Sequence, residues 1–290
     1  MSKRHLPAQS THDADIQHRQ SLATGFRDVD SSGDATACNR CLDLITSIPF
    51  FHEIKQESFR IIADADPDRV LDAGCGAGTD LVALATSLPV NCQIMGLDAS
   101  ESLLARAAER TAVVRDRCSL VKGDIKNIPF RDRVFDSCRI DRVLQHLHEP
   151  ETGVRELIRI LKPGGTLIAF DNDWDTFSIS LDDQDLAARL ARFWRDSFAS
   201  GRIGRELHRI FTECGIVDIH AVPRTLVLTN FSIAEQVFDI PVLLNRTEQA
   251  EVITQEEMIT IWDELCSRVE EGTFSSGYTG FLVWGKKPWK

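Results

Sequence analysis

The chain has 290 residues, 43% hydrophobic and 27% charged, enough for one large globular domain or a domain carrying a cap. A net charge of −11, with no basic cluster longer than two or three residues, disfavours a nucleic acid acceptor and an anionic membrane surface, both of which attract lysine- and arginine-rich patches. There is no run of eighteen apolar residues, and the polar start Met1-Ser-Lys-Arg-His-Leu-Pro lacks the apolar core of a signal peptide, so the expected compartment is the cytoplasm.

Residues 1–36 are polar, and Asp28, Asp30, Ser31, Ser32, Gly33 and Asp34 make them a flexible start that is expected to order as a lid over a ligand. Cys38 and Cys41 have the spacing of metal ligands or a redox pair. No second C-x-x-C and no nearby histidine pair completes a zinc set, so no metal is expected. Cys92, Cys118 and Cys138 fall in apolar strand patterns, where a reduced thiol acts as a small hydrophobe. Leu42 to Ala63 has a helical pattern broken at Pro49, and its Phe50, Phe51 and Phe59 either line a pocket or pack on a sheet.

Val70 to Asp80 then reads V-L-D-A-G-C-G-A-G-T-D. Apolar residues make a buried parallel strand, and Gly74, Gly76 and Gly78 turn it tightly into a helix starting near Thr79. Glycine lets backbone N–H groups approach a ligand closely, and the helix N-terminus favours negative charge, so the loop suits a small anionic group. The G-x-G-x-G spacing departs from the dinucleotide pattern G-x-G-x-x-G. Asp72, just ahead of the first glycine, would repel a pyrophosphate but help to hold an ammonium, which points to an amino acid moiety. On these residues the chain resembles the class I S-adenosylmethionine-dependent methyltransferases.

The resemblance extends in order along the chain. Cys92 to Asp98 is a second strand ending in an acid about twenty residues past the glycines, the place of a ribose ligand. Ser119 to Lys122 leads into Gly123-Asp124-Ile125, similar to the family's turn in which an acid meets the adenine amino group and an apolar side chain packs on the ring, with Ala99 on the other face. Pro129-Phe130 and Phe135-Asp136 match the lead-in to strand four, around Val134 to Ile140. A helix from Glu151 to Leu161 and the turn Lys162-Pro163-Gly164-Gly165 precede strand five. The implied cofactor site comprises Asp72, Gly74, Cys75, Gly76, Gly78, Asp98, Ala99, Ser100, Gly123, Asp124, Ile125 and Asp141.

After strand four, Asp141-Arg-Val-Leu-Gln-His146 leads toward the cofactor's methyl end, and His146 is the candidate general base because imidazole titrates near neutrality. A structural histidine closing the loop is the competing reading. Beyond strand five, Asp171 to Phe177 looks like the D-W-D-T-type sequence of bacterial metabolite methyltransferases and is expected to leave the carboxyl end of that strand. Trp174 and Phe177 are the candidate acceptor contacts, and Asp171 or Asp173 could orient an acceptor. Helical patterns follow at Asp185 to Ala199 and Gly204 to Cys214, with strand six at Ile216 to Val222 and a last strand at Tyr278 to Lys286. Between them, Ser232 to Leu244 and Thr254 to Glu270 are helix-like.

The implied fold is α/β: a Rossmann-like, seven-stranded, mostly parallel sheet with helices on both faces, the last strand antiparallel, an N-terminal helical lid and a helical insertion near the C-terminus. Residues 37–290 form the methyltransferase domain, and 225–275 include a helical substrate cap. The implied reaction is in-line methyl transfer from S-adenosylmethionine to an O, N or C nucleophile of a small molecule, leaving S-adenosylhomocysteine, and the expected setting is secondary metabolism. A methyltransferase acting on protein or RNA, a nicotinamide-dependent oxidoreductase and a non-catalytic binding module are the alternatives. No motif specifies the acceptor or the oligomeric state.

Overall fold

The computed structural model describes residues 29–30, 44–45 and 47–289. Cys38, Cys41 and nearly all of the expected N-terminal lid lie outside them. Chain order is α1 (Pro49–Ala63), β1 (Arg69–Ala73), α2 (Thr79–Ser87), β2 (Gln93–Asp98), α3 (Glu101–Thr111), β3 (Cys118–Lys122) and β4 (Phe135–Asp141). Then come α4 (Pro150–Ile160), β5 (Leu161–Ile179), α5 (Gln184–Asp196), α6 (Ile203–Glu213) and β6 (Val217–Leu228). The chain finishes with α7 (Phe231–Phe238), α8 (Ile240–Gln249), α9 (Gln255–Glu271) and β7 (Ser276–Lys286).

One seven-stranded sheet runs in the order β3-β2-β1-β4-β5-β7-β6. β1 to β5 are mutually parallel and β7 is antiparallel to both its neighbours, as the resemblance implies. The order reverses at β1, where chain leaving the carboxyl ends of β1 and β4 diverges and opens a crevice. Period-two alternation explains how a sheet covered on both faces is filled. Val70, Ile168, Phe170 and Leu282 pack with α1 and α2, while Leu71, Leu167, Ala169 and Val283 pack with α4 and α6.

A third core sits beyond the sheet proper, where Trp174, Phe177, Trp194, Phe238, Trp262 and Tyr278 gather residues of β5, α5, α7, α9 and β7. It exists because β5 does not end where the sequence suggests. Asp171, Asn172 and Asp173 remain in the ladder, paired with Phe281, Gly280 and Thr279, and after a register shift Ser178 pairs with Gly277. Between them the strand passes through an irregularity at 174–177, where Trp174 N–H donates to Gly201 O, and so continues instead of ending. β6 likewise runs on past Val222 through Pro223, which an edge strand tolerates.

Two helix boundaries have equally local causes. Pro49 stands in the first turn of α1, where a missing N–H costs nothing. The expected helix over Ser232 to Leu244 is two helices, because Asp239 takes a left-handed conformation (φ 49°) ahead of Pro241. Among the described residues, no helix is long and apolar enough to cross a membrane.

Candidate active site

The crevice at the carboxyl ends of β1, β2 and β4 is a cavity of about 700 Å³. Gly74, Gly76 and Gly78 all have positive φ, between 53° and 77°. A Cβ on Gly74 would lie 2.2 Å from Val143 Cγ2, and one on Gly78 2.9 Å from Ala107 Cβ, so larger residues would both strain the turn and close it. The loop is pinned from β2: Gly74 and Cys75 N–H donate to Leu97 O, and Gly76 N–H donates to Asp98 Oδ2 at 2.8 Å. Asp98 Oδ1 accepts from Ser100 N–H at 2.9 Å, so one carboxylate ties the glycine loop to the start of α3. Burial raises the Asp98 pKa, and the bonds from Ser100 and Gly76 act against it.

Of the expected cofactor residues, Gly74, Gly76, Asp98, Ala99, Ser100, Gly123, Asp124, Ile125 and Asp141 line the cavity. Asp72, Cys75 and Gly78 do not, standing one layer behind it. Burial lifts the Asp72 carboxyl to about 6, against the pull of Arg139, whose Nη1 donates to Asp72 Oδ1 at 2.7 Å. Cys75 is a buried thiol, its pKa raised well above the usual range by burial. This end of the cavity is lined by Gly74 and Gly76 of the glycine loop, the strand-end carboxylate of Asp98 and the Asp124-Ile125 turn.

Behind the glycine loop lies a charge cluster that sequence reasoning missed. Arg139, only 2% exposed on β4, meets Asp72, Asp80 (2.9 Å) and Asp141 (2.6 Å), and its Nε donates to Ser58 Oγ. Lys55 of α1 donates to Asp80 at 2.6 Å, and Arg142 to Asp141 at 2.8 Å. Burial would raise Asp141, but Arg142 and Arg139 hold it well below the usual carboxylate range. The sequence signal was available: Arg139 interrupts the apolar strand Phe135-Asp-Ser-Cys-Arg-Ile-Asp141, and a charge in a central strand must be paired.

The far end of the cavity is aromatic. Phe51, Trp174, Trp194, Phe198 and Tyr278 line it, with Trp174 stacked on Phe198 (4.9 Å between centroids) and tilted against Tyr278 at 4.5 Å. Phe177 is not on this wall; it packs on Phe238 at 4.9 Å, in the third core. His146 does line the cavity, in the 3₁₀ turn Leu144–His146. Gln145 organises the floor: its Oε1 accepts from Trp174 Nε1 (2.8 Å) and Asn172 Nδ2 (3.2 Å), and its Nε2 lies 3.2 Å from His146 Nε2. Neither Gln145 nor the α5 aromatics had any motif to announce them, because tertiary packing brings them here.

Asp171 and Asp173 are both buried under the floor. Asp173 accepts from Arg205 Nε, and Asp171 accepts from the N–H groups of Asn172 (3.0 Å) and Gln145 (3.2 Å). Burial raises the Asp171 carboxyl to about 8, only partly offset by those bonds, so it holds a proton at neutrality. An ordinary aspartate titrates near 3.9 when unfolded, so between about pH 4 and pH 8 the native state binds the extra proton, and this stabilisation is lost as pH rises, by up to about 1.4 kcal/mol per unit. Urea unfolding at both ends of that window should therefore show wild type losing ground to Asp171→Asn as pH increases. A difference that ignores pH would mean that Asp171 is ionised throughout.

The profile of a family described as a methyltransferase domain matches residues 71–169, from β1 into β5. Over these residues the chain carries a methyltransferase domain. This methyltransferase domain is 31% identical over 166 residues to a demethylmenaquinone methyltransferase of Desulfitobacterium hafniense, a match covering 51% of this chain and 66% of that one. It is 35% identical over 189 residues to an uncharacterized 37.1 kDa protein in transposon Tn4556 of Streptomyces fradiae, covering 64% and 54%. The chain thus spans about half to two thirds of the length of these two relatives. In fold it is similar to the YcgJ protein of Bacillus subtilis, with a TM-score of 0.58 at 18% identity, covering 82% of this chain and 99% of the other. Among the described residues, no group of three or more histidine, cysteine or acidic side chains is placed to hold a metal ion.

Proposed function

We propose that this chain transfers a methyl group from S-adenosylmethionine to a small-molecule acceptor. The observation that carries the reading is the division of one cavity into a glycine-and-carboxylate end and an aromatic end, joined at Asp141 to His146. Gly74 and Gly76, which line the cavity without side chains, would let the amino acid end lie close against the backbone, Asp98 would take the ribose hydroxyls, and Asp124 with Ile125 the adenine. The bound cofactor supplies an electrophilic methyl on a sulfonium. What is left to the protein is to align the acceptor and exclude water, which the apolar wall of Phe51, Trp174, Phe198 and Tyr278 favours. His146 would take the acceptor's proton where one must leave, its Nε2 lone pair exchanging the amide N–H of Gln145, 3.2 Å away, for the acceptor. A relative named for demethylmenaquinone, itself a small molecule, agrees with this choice of acceptor class.

Incubation with methyl-labelled cofactor and a panel of small metabolites tests the reading: label should enter a small product. Label confined to protein or RNA would overturn it in favour of a macromolecular acceptor.

Asp30, which lines the cavity, would act as a latch on the head of α3. Its carboxylate accepts from Glu101 N–H (2.8 Å), Ser102 N–H (3.2 Å), Ser100 Oγ (2.7 Å) and Ser102 Oγ (2.6 Å), at the positive end of α3 beside Asp98. Hydrogen bonds from Ser102 and Ser100 hold its pKa well below the usual range. Asp30→Ala should speed S-adenosylhomocysteine release several-fold in stopped-flow displacement, and an unchanged rate would remove the latch.

A further inference from the structure

Arg142 stands just past β4 in the left-handed region (φ 56°), which an L side chain enters only at a cost. Two bonds keep it there: Arg142 N–H donates to Phe170 O at 2.7 Å, and Nε to Asp141 Oδ1 at 2.8 Å. The guanidinium carbon lies 4.8 Å from the Phe51 ring centroid, and the side chain lines the cavity. With Nε engaged, the edge formed by Nη1 and Nη2 has no protein acceptor among the described residues. Such an edge matches the two oxygens of a planar carboxylate.

The position of the side chain points the same way: Arg142 lines the cavity against Phe51, whose ring belongs to the same wall as Trp174 and Tyr278.

Resting on the methyl-transfer reading, we propose that the acceptor is a flat, largely apolar molecule bearing a carboxylate, and that the Nη edge of Arg142 anchors that group.

Calorimetry on the full chain tests this with benzoate and its neutral isostere benzamide, each titrated into protein saturated with S-adenosylhomocysteine. Benzoate should bind about tenfold tighter or better. With S-adenosylhomocysteine kept saturating, Arg142→Gln should bring the two within about twofold, with Arg142→Lys intermediate because it keeps charge but loses the fork. Equal binding of both probes to wild type, or binding of neither at millimolar concentration, would overturn the anion site, and neither result needs a variant to fold. A large loss of S-adenosylhomocysteine affinity in Arg142→Gln would also overturn it, by giving the guanidinium to the cofactor's carboxylate. Wild-type protein that binds no S-adenosylhomocysteine would fail the methyl-transfer reading itself and the acceptor proposal with it.

Discussion

Arg139→Met is expected to lower the free energy of unfolding by roughly 3–5 kcal/mol, the cost of leaving buried charges without their partner. Arg139 is almost fully buried and bridges Asp72 of β1, Asp80 of α2 and Asp141 of β4, so its removal leaves the buried Asp72 unpaired and takes one of two cationic partners from Asp80 and from Asp141. Methionine replaces the volume but none of the five N–H donors. Arg139→Lys should fall between, since one ammonium cannot reach three acceptors in the plane of a fork. The deficit should also depend on pH. Stranded carboxylates have folded-state pKa values above their unfolded ones, so the variant's stability is retained at low pH and lost as pH rises, and the gap from wild type should be wider at pH 8 than at pH 5. Urea denaturation with an unchanged m-value is the measurement, and a loss below about 1 kcal/mol would mean that the cluster is hydrated and unimportant to stability.

Asp98→Ala is expected to weaken S-adenosylhomocysteine binding by about a hundredfold or more. A hydrogen bond to a charged group contributes roughly 1.5–3 kcal/mol, and two ribose hydroxyls donating to this carboxylate would together exceed the roughly 2.8 kcal/mol that a hundredfold requires. The same side chain accepts from Gly76 N–H and Ser100 N–H, so alanine would also release the glycine loop from the head of α3. Asp98→Asn keeps the shape and one acceptor oxygen and should lose less. Calorimetry decides, with circular dichroism to show that the sheet is intact. Unchanged affinity in a folded Asp98→Ala protein would remove Asp98 from the site.

Much of the sheet could be read from the amino acids because its signals are local. Strands β1 to β4 are short apolar runs closed by acids or glycines, and their ends fall within a residue or so of the pattern. The glycine spacing at 74, 76 and 78 is likewise a local demand, since each residue needs positive φ. After residue 170 the signals cease to be local. The pattern of Asp171 to Phe177 is that of an exit loop because polar residues interrupt it, yet its first three residues pair with a distant strand, β7. The single helix expected over Ser232 to Leu244 split because Asp239 accepts a backbone strain that apolar periodicity does not register.

Periodicity and motif spacing carried the class of the fold, the crevice and the order of the cofactor-end residues, since each depends on neighbours within about twenty positions. Which side chains share the crevice was decided in three dimensions. Asp72, next to the glycines in the chain, faces Arg139 behind the wall, while Arg142, Gln145, Trp194 and Tyr278, spread over more than 130 residues, converge on the aromatic end. The reason is physical. Backbone conformation is set mostly by adjacent residues, but burying charge and aromatic surface requires partners, and only the packed sheet determines which distant residues those partners are.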